Sequence, residues 1–304
     1  MFIDQIKPYQ EKGSYYVIGF ILVLISMQMG QIPMLIAMLI QNPKGYSRLQ
    51  EHPEELFGVL SQNETFFLIL CSFAVAMAAL FAIVKYMHKR PLLSLFTGRT
   101  HFDFKRFWCG FLLWGTISTA FILWQVWANP TNYSWQYNPS QFWLLVVIAV
   151  VMIPIQTTFE ELFLRGYLLQ GIALATKHRG WAWIGTSVCF GLLHIMNPEI
   201  QKIGYVLLIY YIGTGLFLGA IALVDEGLEI SIGFHAANNL MMAILLTSTW
   251  SAFQTPSLWL DKSEPDVFWE IFIPVACCFP LLFFIFSKLF KWQNISAKLW
   301  RINS

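Results

Sequence analysis

Apolar runs of about twenty residues alternate along the chain with shorter segments rich in proline, asparagine, glycine and charge. A helix rises 1.5 Å per residue, so about 20 mostly apolar residues cross the roughly 30 Å hydrocarbon core of a bilayer. On that measure eight spans are predicted, near 15–40, 65–87, 107–127, 141–160 or beyond, 181–198, 203–223, 232–250 and 269–288. The connections carry turn signals: NPKGYSRLQEHPEE (42–55), KRPLLSLFTGRTHFDFKR (89–106), NPTNYSWQYNP (129–139) and DKSEPD (261–266). With no internal repeat, low-complexity tail or second domain, the expectation is a single membrane domain over 1–304. Its class is all-α, a polytopic transmembrane helical bundle of about eight spans.

Composition agrees with this pattern. Of 304 residues 57% are hydrophobic and 12% charged, against roughly 45–50% and about 25% in soluble domains. The net charge of +2 and the absence of a long basic run point away from a nucleic-acid partner. The run from Tyr15 to Ile40 behind Lys7 and Lys12 exceeds the about 7–15 residues of a signal-peptide core and lacks an A-x-A-like site. It reads as a retained first span. Cys71, Cys109, Cys189, Cys277 and Cys278 lie in apolar stretches with no C-x-x-C pair, as small core residues do.

Charge also orients the spans. Lys and Arg divide 15 to 4 between the two sides of an eight-span arrangement, Arg301 counting with the fifteen, and Lys44, Arg48, Lys202 and Lys262 making up the four. By the positive-inside rule both termini are expected in the cytoplasm.

Four histidines, His52, His88, His101 and His178, fall in connections, whereas His194 and His235 sit in apolar sequence. Glu160, Glu161 and Arg165 (TTFEELFLRG, 157–166) close a run otherwise fit for lipid, and Asn238 and Asn239 follow His235. Such groups can be glue between helices, at roughly 0.6–2 kcal/mol each. Two Glu, two His and one Asn together mark a functional path more often, because each bare charge in lipid costs at least ~2.5 kcal/mol. At 3.6 residues per turn Glu161 and Arg165 share a face, as do Phe190 with His194 and His235 with Asn239, while Glu160 points about 100° away from Glu161. Glu160 lies 17 residues before Lys177 and His194 lies 17 after it, so a hairpin there sets them at similar depth. His235 follows the polar DEGLE segment (225–229) too closely to match. Either that segment dips inward or the fourth and fifth helices project beyond the bilayer.

The segments E-E-L-F-L-R (160–165), F-G-L-L-H (190–194) and H-A-A-N-N (235–239) resemble the EExxxR, FxxxH and HxxxN motifs of the CPBP family. That family comprises CAAX prenyl endopeptidases and bacterial bacteriocin-processing or self-immunity proteins, also called Abi. The resemblance covers a catalytic core at 141–250; residues 1–140 match nothing in it. It implies an intramembrane endopeptidase in the bacterial plasma (inner) membrane, with a cavity open to the cytoplasm. Glu160 and His194 would activate water, and His235 and Asn239 would hold the oxyanion. It implies a peptide or protein substrate, lipid-modified or not, and membrane lipid as surroundings, with no cofactor.

The residues themselves allow the same roles. A carboxylate in low dielectric suits a general base, and an imidazole N–H beside an amide NH₂ suits an oxyanion hole. No G-x-S-x-G elbow is present, and Cys189 lies off the face of His194, leaving water as the nucleophile. Two histidines and a glutamate also suffice to ligate zinc, though H-E-x-x-H is missing. A non-catalytic immunity protein keeps the same fold, and a proton-coupled transporter would favour inverted repeats.

Overall fold

The computed structural model describes residues 2–9, 12–49 and 56–300; His52 and Arg301 lie outside the described residues, as does part of the 42–55 connection. The principal helices are α1 (Gly13–Met29), α2 (Ile32–Gln41), α3 (Gln62–Ala82), α4 (Phe104–Ala128), α5 (Pro139–Glu161), α6 (Leu169–Thr176), α7 (Arg179–Leu193), α8 (Leu207–Asp225), α9 (Glu229–Leu245) and α10 (Phe279–Leu289). Several starts are encoded locally. Ser61 and Glu64 form a reciprocal capping box on α3, Asp103 accepts from Lys105 N and Arg106 N, and Asn138 with Pro139 opens α5.

Burial on α5 shows what surrounds the bundle. Trp143, Val147, Val150 and Val151 share one face and are exposed, while Leu145, Ala149, Ile153 and Gln156 turn inward. An apolar stripe facing out is the pattern of a helix in lipid, and the protein is an integral membrane protein. Among the described residues six helical stretches are long and apolar enough to cross: Gly13–Gln41, Gln62–Met87, Phe104–Ala128, Pro139–Thr176, Leu207–Asp225 and Phe268–Leu289. The other two expected spans, 181–198 and 232–250, are helical as α7 and α9, but only 15 and 17 residues long. Six spans, rather than about eight, therefore meet the length criterion.

Pro139–Thr176 runs 38 residues, roughly 55 Å at helical rise and far beyond a 30 Å core. Of the two alternatives raised by the position of His235, this length fits projection of the fourth helix, and the burial of Asp225 and Glu229 fits a DEGLE segment turned inward. Just after Glu161 the helix widens to a π-helical turn over Leu162–Leu168, a distortion that recurs at functional sites. Its Gly166 passes so close to Leu95 O that a Cβ would sit 2.5 Å from it.

A three-stranded sheet, with no counterpart in the sequence reading, closes one end of the bundle. β1 (Tyr133–Trp135) pairs antiparallel with β3 (Trp259–Asp261), which pairs parallel with β2 (Leu246–Ser248). The opposite end gathers both terminal segments. Gln5 Nε2 donates to Thr97 O at 2.6 Å, Arg179 meets Asp4 at 3.6 Å, and Lys298 meets Glu226 at 2.8 Å. Arg99 bridges Asp225 and Glu229 at 3.0 and 3.1 Å, pinning the start of α9.

The seam between α4 and α9 depends on two glycines. A Cβ at Gly233 would collide with Phe107 O, and one at Gly110 with Ile230 O. Small residues let the two backbones touch, and this seats the polar face of α9 at the bundle centre.

Candidate active site

The first carboxylate pair separates into two environments, as expected for neighbours about 100° apart. Glu161 and Arg165 are fully buried and joined at 2.9 Å between Oε1 and Nη1. Glu160 keeps 14% side-chain exposure, so it can meet water where Glu161 cannot. Its Oε1 accepts from Gln156 Nε2 at 2.5 Å, one helical turn earlier. Its Oε2 has no hydrogen-bond partner among the described residues.

His235 stands between the two glutamates. Nδ1 lies 2.9 Å from Glu161 Oε1 and Nε2 lies 3.5 Å from Glu160 Oε2. Beside an acceptor carboxylate, Nδ1 is the donor. Glu161, which shares a helical face with Arg165, also orients His235.

His194 ends α7. Its Nδ1 lies 2.7 Å from Phe190 O, and because a carbonyl only accepts, Nδ1 carries the proton. In the neutral ring Nε2 then presents a lone pair. Tyr211 stacks on the imidazole at 4.3 Å, and Asn197 Nδ2 donates to the Tyr211 hydroxyl at 3.3 Å. Glu160 and His235 lie within electrostatic range of His194.

Phe190, which the sequence reading placed only on the face of His194, is the hub of these elements. The Arg165 guanidinium lies 4.6 Å from its ring centroid, His194 lies 4.5 Å away, and His235 meets it edge-on at 6.0 Å. An apolar wall thus orders three charged or polar groups around it.

Asn239 donates from Nδ2 to Gln156 Oε1 at 3.0 Å, so Gln156 touches both Asn239 and Glu160. Asn238 donates to Asn239 Oδ1 at 3.1 Å, and Trp114 Nε1 to Asn238 Oδ1 at 3.0 Å.

The geometry has a counterpart in known sequences. A family described as type II CAAX prenyl endopeptidase Rce1-like matches residues 139–241, a stretch containing all three motifs. YyaK of Bacillus subtilis (strain 168), an uncharacterized protein, is 30% identical over 226 residues, 73% of each chain. The chain belongs to the Rce1-like CPBP family. That family is of the CAAX-type intramembrane protease kind. No solved structure matches it significantly.

Within this family member the structure brings Glu160, Glu161, Arg165, His235 and Asn239 into one connected cluster, with His194 on its edge. Among the described residues no three His, Cys, Asp or Glu side chains are grouped to hold a metal ion. Gln156, Trp114 and Tyr211 escaped the sequence reading. Only Gln156 carried a signal there, as an amide four residues before Glu160 in an apolar run.

Proposed function

We propose that the protein is a glutamate-type intramembrane endopeptidase in which Glu160 and His194 activate water and His235 and Asn239 hold the oxyanion. The observation that carries this reading is the division of the glutamates. Both carboxylates leave Oε2 without a hydrogen bond among the described residues, but the partly exposed one has only the neutral Gln156 amide on Oε1, while the fully buried one is committed through Oε1 to Arg165 and His235.

In this reading a water between Glu160 Oε2 and His194 Nε2 attacks the peptide carbonyl carbon. Glu160 takes the water's proton and returns it to the leaving nitrogen as the C–N bond breaks. The carbonyl oxygen gains negative charge and is met by the second N–H of Asn239 and by His235 Nε2. For Nε2 to donate while Nδ1–H is held by Glu161, the His235 ring must carry both protons. A donor placed at such an oxyanion typically contributes about 10²–10³ in rate.

The substrate class follows from family membership: a peptide or protein reached from the membrane, with a prenylated C-terminal peptide as the first candidate. The charge division supports a cytoplasmic location for the terminal face, with Lys7, Arg179 and Lys298, in a bacterial plasma membrane. The test compares peptide ends in the membrane proteome of cells carrying the wild type with those carrying Glu160→Gln. New ends confined to the wild type are expected. Identical sets of ends would contradict a peptidase and favour a binding role in immunity.

A further inference from the structure

Three side-chain amides link the indole of Trp114 on α4 to the carboxylate of Glu160 on α5. Trp114 Nε1 donates to Asn238 Oδ1 at 3.0 Å, and Asn238 Nδ2 to Asn239 Oδ1 at 3.1 Å. Asn239 Nδ2 donates to Gln156 Oε1 at 3.0 Å, and Gln156 Nε2 to Glu160 Oε1 at 2.5 Å. The ends of this chain are not interchangeable. An indole N–H can only donate, and an ionised carboxylate can only accept. Between such ends, one direction alone makes every link donor to acceptor. Reversing any single amide would set NH₂ against NH₂ or oxygen against oxygen. Buried amides left unmatched in this way lose about 1–3 kcal/mol each.

We propose that this hydrogen-bond chain is a positioning device for the site, with Gln156 as its central positioning residue. Resting on the roles given above to Glu160 and Asn239, it does two things at once. It turns the N–H side of Asn239 toward Gln156 and the substrate, with Oδ1 held away by Asn238. It also clamps Glu160 by Oε1, so that Oε2, 3.5 Å from His235 Nε2, is the oxygen left without a hydrogen bond among the described residues. Gln156 is 3% exposed and one turn from Glu160, so its amide is held in place rather than solvated. Trp114 is anchored independently, its ring stacked on Phe234 at 4.6 Å. The start of the chain therefore lies on a helix that carries none of the three motifs.

The test uses the full-length protein in detergent with ¹⁵N-labelled tryptophan. The Trp114 indole N–H resonance is identified by its loss in Trp114→Phe. Gln156→Met removes both amide contacts while keeping an unbranched side chain of similar length. In that variant the Trp114 resonance is expected to shift and its N–H to exchange faster with solvent. On a cleavable reporter, kcat should fall about 10²-fold, the scale of a small misplacement of reacting groups, with KM unchanged. Trp114→Phe should show a smaller fall in kcat, again without a change in KM, and it serves if Gln156→Met does not fold. An unmoved Trp114 resonance in folded Gln156→Met overturns the chain, and so does a moved resonance with wild-type kcat. A wild type that cleaves nothing overturns the peptidase reading instead, and the indole resonance still reports whether the chain exists.

Discussion

Glu161 and His235 are joined at 2.9 Å between Oε1 and Nδ1, and the same carboxylate oxygen lies 2.9 Å from Arg165 Nη1. One buried oxygen thus fixes the motif arginine and the second histidine together. Breaking a buried pair from one side strands a charge and typically costs ~3–5 kcal/mol. Glu161→Ala is therefore expected to lower the melting temperature and yield in detergent. The molecules that do fold should also turn over more slowly, because His235 loses its anchor. Melting and turnover per folded molecule check this together; a stable variant with wild-type turnover would contradict it.

The glycine seam places α9, and His235 follows Gly233 by two residues. A side chain there meets the backbone of Phe107 rather than a flexible tip. Gly233→Val should cost on the order of 1–3 kcal/mol by overpacking and reduce cleavage by displacing His235 and Asn239. The same measurements on Gly58→Val provide the contrast, since nothing lies within 4 Å of a Cβ there.

The proposed topology rests on the charge division and on the shared face of the termini. Thr100 and Lys177 are exposed at the terminal end and Thr131 at the sheet end. With the five native cysteines removed, single cysteines at Thr100 and Lys177 should be shielded from an impermeant thiol reagent in intact cells. One at Thr131 should be labelled. The opposite result would invert the orientation.

The grouping of side chains at the site bears on metal dependence. The sequence has no H-E-x-x-H, and among the described residues no three His, Cys, Asp or Glu side chains are grouped to hold a metal ion. Cleavage is expected to survive extensive chelation, and elemental analysis should find no stoichiometric zinc. Chelator-sensitive cleavage restored by zinc would turn Glu160, His194 and His235 into ligands.

Much of this site was legible from spacing alone. The i, i+4 relation paired Glu161 with Arg165, because helices convert sequence distance directly into direction and rise. Contacts between helices followed no such rule. The bond from Glu161 to His235 crosses 74 residues, and the one from Trp114 to Asn238 crosses 124. The hub at Phe190 is equally a product of tertiary packing. The sheet was missed because its three-residue strands, YSW, LTS and WLD, are too short to show alternation. The two short spans, α7 and α9, end where polar contacts take over: at the His194 turn and at β2.

The division of labour between the two glutamates is tested most directly by Glu160→Gln, measured for melting temperature and for turnover in the same detergent preparation. Gln keeps the size of the side chain and leaves the Glu161–Arg165 pair intact, so a wild-type melting temperature with cleavage abolished is expected. Near wild-type cleavage by the folded variant would show that Glu160 is not the general base.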